Sequence, residues 1–189
     1  MTKTRLEAFS DGVIAIIITI MVLELRVPHE TSWEALRPLV PVLLTYLMSF
    51  VFLGIYWTNH HHMLHMVDRV NGAMLWANLH LLFWLSLTPF VTGWMGENNF
   101  VEVPTAAYGI VLLMAGIAYT ILERTIIAFQ GPHSKLRAAV GRDVKGYASL
   151  ALYVTAIPVS FVEPRVAVGI YAATAALWLV PDPRIERRV

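Results

Sequence analysis

Six long apolar stretches dominate this chain, each bounded by charged residues, proline or glycine. They run over residues 6–25, 36–58, 70–94, 103–129, 144–161 and 166–180. A helix needs about 20 apolar residues to cross the roughly 30 Å hydrocarbon core of a bilayer, and the first four stretches meet that length. The last two are shorter and closely spaced, which predicts a helical hairpin that packs within a bundle. The sequence therefore predicts an all-α integral membrane protein with six transmembrane helices.

The composition excludes most other protein classes. Apolar residues make up 57% of the chain and charged residues 14%, with a mean hydropathy of +0.62. A soluble domain carries about a quarter charged residues, so neither a soluble protein nor a nucleic-acid-binding protein is expected. The chain has no cysteine, which excludes disulfides, thiolate catalysis and cysteine-ligated metals. We expect one membrane domain over residues 1–189, with the bilayer as its surroundings and no cofactor.

Basic residues are distributed unevenly between the predicted loops. If the N-terminus is cytoplasmic, only Arg26, Arg37 and Arg165 of the 14 basic residues lie outside. The positive-inside rule then predicts a multi-pass protein of the plasma membrane with both termini in the cytoplasm. The other basic residues, all on the predicted cytoplasmic side, are Lys3, Arg5, Arg69, Arg124, Lys135, Arg137, Arg142, Lys145, Arg184, Arg187 and Arg188.

The first stretch combines polar residues with a helical repeat. Ser10 and Asp11 lie near its start, where an ionisable residue is costly unless it is paired or hydrated. An interfacial Asp at a helix start is an equally good interpretation of Asp11. Further along, a set of residues spaced by three or four positions shares one face of the helix. That set is Gly12, Ile16, Thr19, Ile20 and Leu23, and such a stripe commonly contacts lipid or a neighbouring helix.

Two groups of motifs in the first half of the chain carry a family resemblance. The first is Arg5-x-x-x-Phe9-Ser10-Asp11 at the start of the first helix. The second comprises Trp57-Thr-Asn59-His60-His61, Leu75-Trp76-Ala-Asn78 and Leu87-Thr-Pro89-Phe90. Together they resemble the transmembrane protein 175 family of potassium channels, whose bacterial members have one six-helix unit per chain.

The resemblance implies a potassium channel in which four identical chains surround one pore lined by their first helices. Ile16 would form the hydrophobic constriction, with Ile20 and Leu23 continuing the lining outward, and Thr19 would contribute a ring of hydroxyls for selectivity. A network near the cytoplasmic side would join the first helix to its neighbours. Its members would be Phe9, Ser10 and Asp11, with Arg5, Asn59, His60, His61 and Asn78 as partners.

The residues are physically consistent with passive conduction. No Thr-Val-Gly-Tyr-Gly carbonyl filter is present, so selectivity cannot come from a carbonyl cage. One Thr19 hydroxyl per chain is too few to replace an ion's water shell, which predicts modest selectivity for potassium over sodium. A ring of Ile16 side chains would close the pore by dewetting.

Two rival classes are less favoured by the residues. His61 and His65 are spaced to share a helix face and could hold a metal, but the seven histidines do not form the spread motifs of a di-iron membrane enzyme. We therefore expect neither a metal site nor an enzyme. The alternative function is a proton- or cation-coupled secondary transporter, although no stretch carries the paired midplane carboxylates that such carriers use.

Overall fold

A computed structural model describes residues 2–141 and 143–179, with only the backbone described at His133. The predicted end of the last span at Val180 and the basic residues Arg142, Arg184, Arg187 and Arg188 lie outside the described residues. The described part is helical. Its helices are α1 (Lys3–Leu23), α2 (Val40–His65), α3 (Gly72–Ser86), α4 (Thr88–Glu97), α5 (Glu102–Gln130), α6 (Lys135–Val140), α7 (Val144–Val159) and α8 (Pro164–Leu179).

Each of the six predicted stretches is helical in the structure. Four candidate spans are long enough to cross a membrane, and they contain α1, α2, the α3–α4 pair and α5. Helices α7 and α8 have 16 residues each, or about 24 Å at 1.5 Å per residue. They pack against each other as the expected hairpin. The structure is therefore an all-α membrane protein, as the sequence predicts.

The third crossing differs from the continuous helix expected over residues 70–94. It consists of α3 and α4, with an interruption at Leu87. Pro89 has no backbone N–H, so it cannot donate the hydrogen bond that would continue the α3 ladder into α4. Helix α2 also begins later and ends later than expected, because residues 33–39 form a 3-10 helix and the α-helix continues through the histidines to His65.

A further short helix, α6, lies between the fourth and fifth predicted stretches. In α6, Leu136 and Ala139 are buried, and the Ser134 side chain caps the N-terminus by accepting from the Arg137 N–H. The two apolar residues, three positions apart, lie on the same face of this turn. That face packs onto the core beside α5.

Helix α5 is the central element of the bundle and packs against α3, α4, α7 and α8. Its 29 residues contribute to two apolar clusters, one at each end. The first surrounds Ala118 and Leu122 together with α1, α2 and α3. The second surrounds Tyr108 and Leu112 together with α4, α7 and α8. This stacking holds α1 on one side of the bundle.

Polar contacts at both ends attach α1 to its neighbours. At the start of α1, the Lys3 ammonium donates to the His65 carbonyl at the end of α2 over 2.9 Å. Beyond its other end, Arg26 forms an ion pair of 2.9 Å with Glu97 of α4. Gln130, at the end of α5, donates to the Met66 carbonyl over 2.7 Å. The start of α1, the end of α2 and the end of α5 therefore lie at the same end of the bundle.

Close packing of α4 on α2 depends on a glycine. A Cβ atom at Gly96 would lie 2.7 Å from the Val42 Cα and 2.5 Å from the Thr45 hydroxyl oxygen. We therefore expect Gly96→Ala to destabilise the fold by about 1–3 kcal/mol, since the backbone of α2 cannot move aside cheaply. Thermal unfolding of the purified protein in detergent measures this loss.

Gly54→Ala is the matched control, because a Cβ at Gly54 would meet nothing within 4 Å. This change should leave the unfolding midpoint unchanged or raise it slightly, since alanine favours helix. Equal midpoints for the two variants would contradict the close α2–α4 packing.

Candidate functional site

Helix α1 has one face buried in the chain and another that the described residues leave uncovered. Leu6, Ser10, Ile14, Ile17 and Met21 form the buried face. The opposite face is exposed, with Ile16 at 59%, Ile20 at 42% and Leu23 at 78%; Gly12 and Thr19 are exposed beside them. The structure thus brings all the predicted lining residues onto a single face, here called the exposed α1 face.

The Thr19 hydroxyl on this face is oriented by its own helix. It donates to the Ile16 carbonyl over 2.9 Å, so its hydrogen is committed to the backbone. A hydroxyl carries two acceptor lone pairs in addition to its one donor. The Thr19 oxygen can therefore still accept a hydrogen bond or contact a cation on the exposed α1 face.

A chain of three buried side chains holds the other face of α1 in place. Asn78 of α3 donates from Nδ2 to the Ser10 Oγ over 2.9 Å, and Ser10 in turn donates to the Leu6 carbonyl. His60 of α2 lies 2.7 Å from the Asn78 Oδ1. Since that oxygen is an acceptor, the His60 Nε2 carries the proton. This buried hydrogen-bond chain joins α1, α2 and α3.

Asp11 is held separately, at the edge of the same contact. Its Oδ1 accepts from the indole N–H of Trp57 over 3.0 Å, and Trp57 is half exposed. Trp57 belongs to the Trp57-Thr-Asn59-His60-His61 motif but is not among the residues expected in the network. The available signal was chemical, because an indole N–H in a membrane helix needs an acceptor and Asp11 is a strong one.

Four residues expected in the network do not join the buried hydrogen-bond chain within one protein chain. Arg5 is exposed and has no polar partner among the described residues. The Asn59 side chain faces elsewhere, while its carbonyl accepts from the Tyr119 hydroxyl over 3.3 Å. His61 packs against the rings of Trp57 and His65. Phe9 is 49% exposed.

The histidines at the end of α2 do not form a metal centre within the described residues. His61 and His65 stack with ring centroids 6.3 Å apart. Throughout residues 2–141 and 143–179, no three His, Cys, Asp or Glu side chains are grouped closely enough to hold a metal ion. His60, the buried member of the cluster, is committed to Asn78.

Comparison with known proteins bears on this arrangement. The family model described as endosomal/lysosomal potassium channel TMEM175 matches residues 5–89, which contain α2 and α3 in full and all but the first two residues of α1. A Chryseobacterium protein named as a potassium channel is 56% identical over 187 residues, covering 99% of this chain and 97% of its own. The human endosomal/lysosomal proton channel TMEM175 is 26% identical over 137 residues, which is 26% of its own length.

A solved structure shows the same fold. The crystal structure of a lysosomal potassium-selective channel TMEM175 homolog from Chamaesiphon minutus superposes with a TM-score of 0.82 and 28% sequence identity. The match covers 94% of this chain and 96% of the other. The chain therefore belongs to the TMEM175 family of cation channels, as a multi-pass membrane protein and not an enzyme.

Proposed function

We propose that four copies of this chain form a potassium-selective channel with a single central pore lined by the exposed α1 face. The observation that carries the proposal is the division of α1 into a buried face held by polar contacts and an uncovered face bearing Ile16 and Thr19. One chain supplies one such helix, and one helix cannot enclose a path. A closed ring of identical chains encloses one by cyclic symmetry.

Ile16 is the proposed constriction of the closed pore. Its side chain is 59% exposed near the middle of a helix of 21 residues, about 31 Å long. Four such side chains meeting on the pore axis would make a narrow apolar ring from which water withdraws. Ile20 and Leu23 lie one and two turns further along the same face and would extend this apolar lining.

Thr19 is the proposed source of selectivity. A ring of four hydroxyl oxygens offers fewer ligands than the shell of water around a potassium ion, so the ion keeps much of its water. Potassium loses water more readily than sodium does, because it is larger and binds water less tightly. The discrimination should therefore be modest, and the potassium-channel name of the nearly full-length Chryseobacterium relative supports the choice of ion.

The contacts at the ends of α1 support the proposed orientation in the plasma membrane. Lys3, the His65–Gly72 turn and the end of α5 lie at one end of the bundle. This end also carries Arg69, Lys135 and Arg137, so basic residues of three segments gather there. The positive-inside rule places this end, and with it the N-terminus, in the cytoplasm.

Flux through liposomes that hold the purified protein tests the proposed function. We expect potassium-driven flux well above sodium-driven flux, and no requirement for a proton gradient, because a pore needs no counter-ion. Empty liposomes provide the baseline. Flux that requires a proton or sodium counter-gradient would instead establish a coupled carrier, and proton flux without potassium flux would align the chain with its vertebrate relatives.

Ile16→Asn tests the constriction. We expect a several-fold increase in potassium flux, because a polar ring stays wet where an apolar ring excludes water. Ile110→Asn is the matched control, since Ile110 is 45% exposed on α5, away from the exposed α1 face. If intact tetramers of Ile16→Asn give unchanged flux in the same liposome assay, Ile16 does not form the constriction.

Thr19→Ala tests the selectivity ring. The potassium-to-sodium permeability ratio should fall toward one because the ring loses its oxygen ligands, while conduction persists because the alanine side chain is smaller and leaves the path open. Thr155→Ala is the control, since Thr155 is exposed on α7 and its hydroxyl likewise donates to its own helix. Reversal potentials under bi-ionic conditions give the ratio, and an unmoved ratio would place selectivity elsewhere.

A further inference from the structure

A cavity opens between α2, α5 and α7, away from the exposed α1 face. Helices α2 and α7 lie on either side of it, α5 supplies Gly116 at its wall, and the end of α8 supplies Trp178. Its volume is about 60 Å³, several times the roughly 10–15 Å³ that one water molecule needs. An ionic head with a short carbon chain fits a space of this size.

Aromatic rings make up much of the cavity wall. Phe52 and Tyr56 contribute from α2, Tyr119 from α5, Tyr153 from α7 and Trp178 from α8. Aromatic faces attract organic cations through their negative π clouds, and the attraction strengthens where water is excluded. The wall therefore favours a cation with an apolar body over an anion.

Asp143, at the N-terminus of α7, is the charged residue among the side chains that line the cavity. Its Oδ1 accepts from the Gly146 N–H, while its Oδ2 has no hydrogen-bond partner among the described residues. Burial raises the pKa of this carboxyl more than the Gly146 hydrogen bond and the Arg124 charge lower it. Arg124 attracts it from a distance but donates its hydrogen bond to the Tyr147 hydroxyl.

A second carboxyl group lies close to Asp143. Glu123 of α5 is buried, with 7% exposure, and forms no hydrogen bond or ion pair among the described residues. It lies near enough to Asp143 for the two carboxyl groups to interact electrostatically. A cation bound in the aromatic cavity would stabilise the charged form of either carboxyl group.

Acceptors without partners indicate which kind of cation fits. Three lining groups have no hydrogen-bond partner among the described residues: the Tyr56 hydroxyl, the Tyr153 hydroxyl and the Asn59 side-chain amide. A primary ammonium has three N–H donors and no acceptor, so it can satisfy Asp143 together with two of these groups. A quaternary ammonium has no N–H and would leave them all unpaired.

We propose that this cavity binds a primary alkylammonium group, with Asp143 as its counter-charge, Asn59 and Tyr56 as hydrogen-bond acceptors, and the aromatic wall around its carbon chain. Such a group is carried by small organic amines and by the ethanolamine head of a phospholipid. The site does not involve the exposed α1 face, so a test of the site gives a result that does not depend on the proposed function.

The test is ligand-detected saturation-transfer NMR of n-butylammonium with the full chain in phosphatidylcholine nanodiscs. We expect saturable binding of n-butylammonium and weaker binding of n-butanol, which has the same chain without the charge. Asp143→Asn should raise the Kd at least roughly ten-fold, or about 1.4 kcal/mol. Asparagine caps a helix as well as aspartate and tolerates the left-handed backbone of residue 143, whose φ is 37°.

Two further variants separate the site from general effects. Asp68→Asn removes an exposed carboxylate in the turn after α2 and should leave the Kd unchanged. Asn59→Leu should weaken binding of n-butylammonium several-fold without touching the His60–Asn78 contact. Equal Kd values for the unmodified chain and Asp143→Asn, or equal binding of n-butanol and n-butylammonium, would overturn the proposal.

Nanodiscs that contain phosphatidylethanolamine distinguish the two sources of the ammonium group. If the lipid head occupies the cavity, the apparent Kd of n-butylammonium rises in these discs for the unmodified chain, and the rise disappears in Asp143→Asn. If the natural ligand is a free amine, the Kd is the same in both lipids. Either result supports an ammonium site, provided that Asp143→Asn raises the Kd of n-butylammonium. If Asp143→Asn leaves this Kd unchanged in both lipids, the proposal is refuted.

Discussion

The buried hydrogen bonds from Ser10 through Asn78 to His60 determine how α1 is turned within the bundle. In a membrane interior no water competes for polar side chains, so each one must find a protein partner or remain unsatisfied at a cost. Ser10, Asn78 and His60 satisfy one another across three helices. Any rotation of α1 that removed Ser10 from this contact would leave the Asn78 amide unpaired in an apolar cluster.

The rotation of α1 in turn decides which residues are available to line a pore. Successive residues of an α-helix are about 100° apart, so turning α1 by one position would either point Ile17 outward in place of Ile16 or turn Ile16 into the buried direction that Ile17 now occupies. The buried face carries Ser10, Ile14, Ile17 and Met21, a set that keeps to the contact with α2 and α3. A polar contact near one end of α1 thereby sets the register of apolar side chains two turns away.

Periodicity and length were sufficient to predict the crossings. Exposing apolar side chains to water, or polar groups to lipid, costs much free energy, and this cost depends on the residues of each stretch alone. Periodicity and length could not predict the break at Leu87, which depends on how the tertiary structure accommodates the N–H that Pro89 lacks. Nor could they predict α6, which depends on whether its two apolar residues find a surface to pack against. The motif indicated Ser10, Asn78 and His60 as neighbours. The Asp11–Trp57 hydrogen bond could not be predicted, because it depends on which residue of α2 lies next to Asp11 of α1, and a single sequence does not give distances between helices.

The chemistry of the exposed α1 face also bears on which ions can cross. Residues 12–23 contain no ionisable side chain, and Thr19 carries the only hydroxyl group among them. A potassium ion passing through the proposed pore would exchange part of its water for Thr19 oxygens and would otherwise remain hydrated. A proton would have no side chain to bind between Asp11 and Glu24, so its passage would depend on a continuous file of water through the Ile16 ring. The apolar ring proposed to close the pore to potassium would interrupt that file as well, so one constriction would govern both ions.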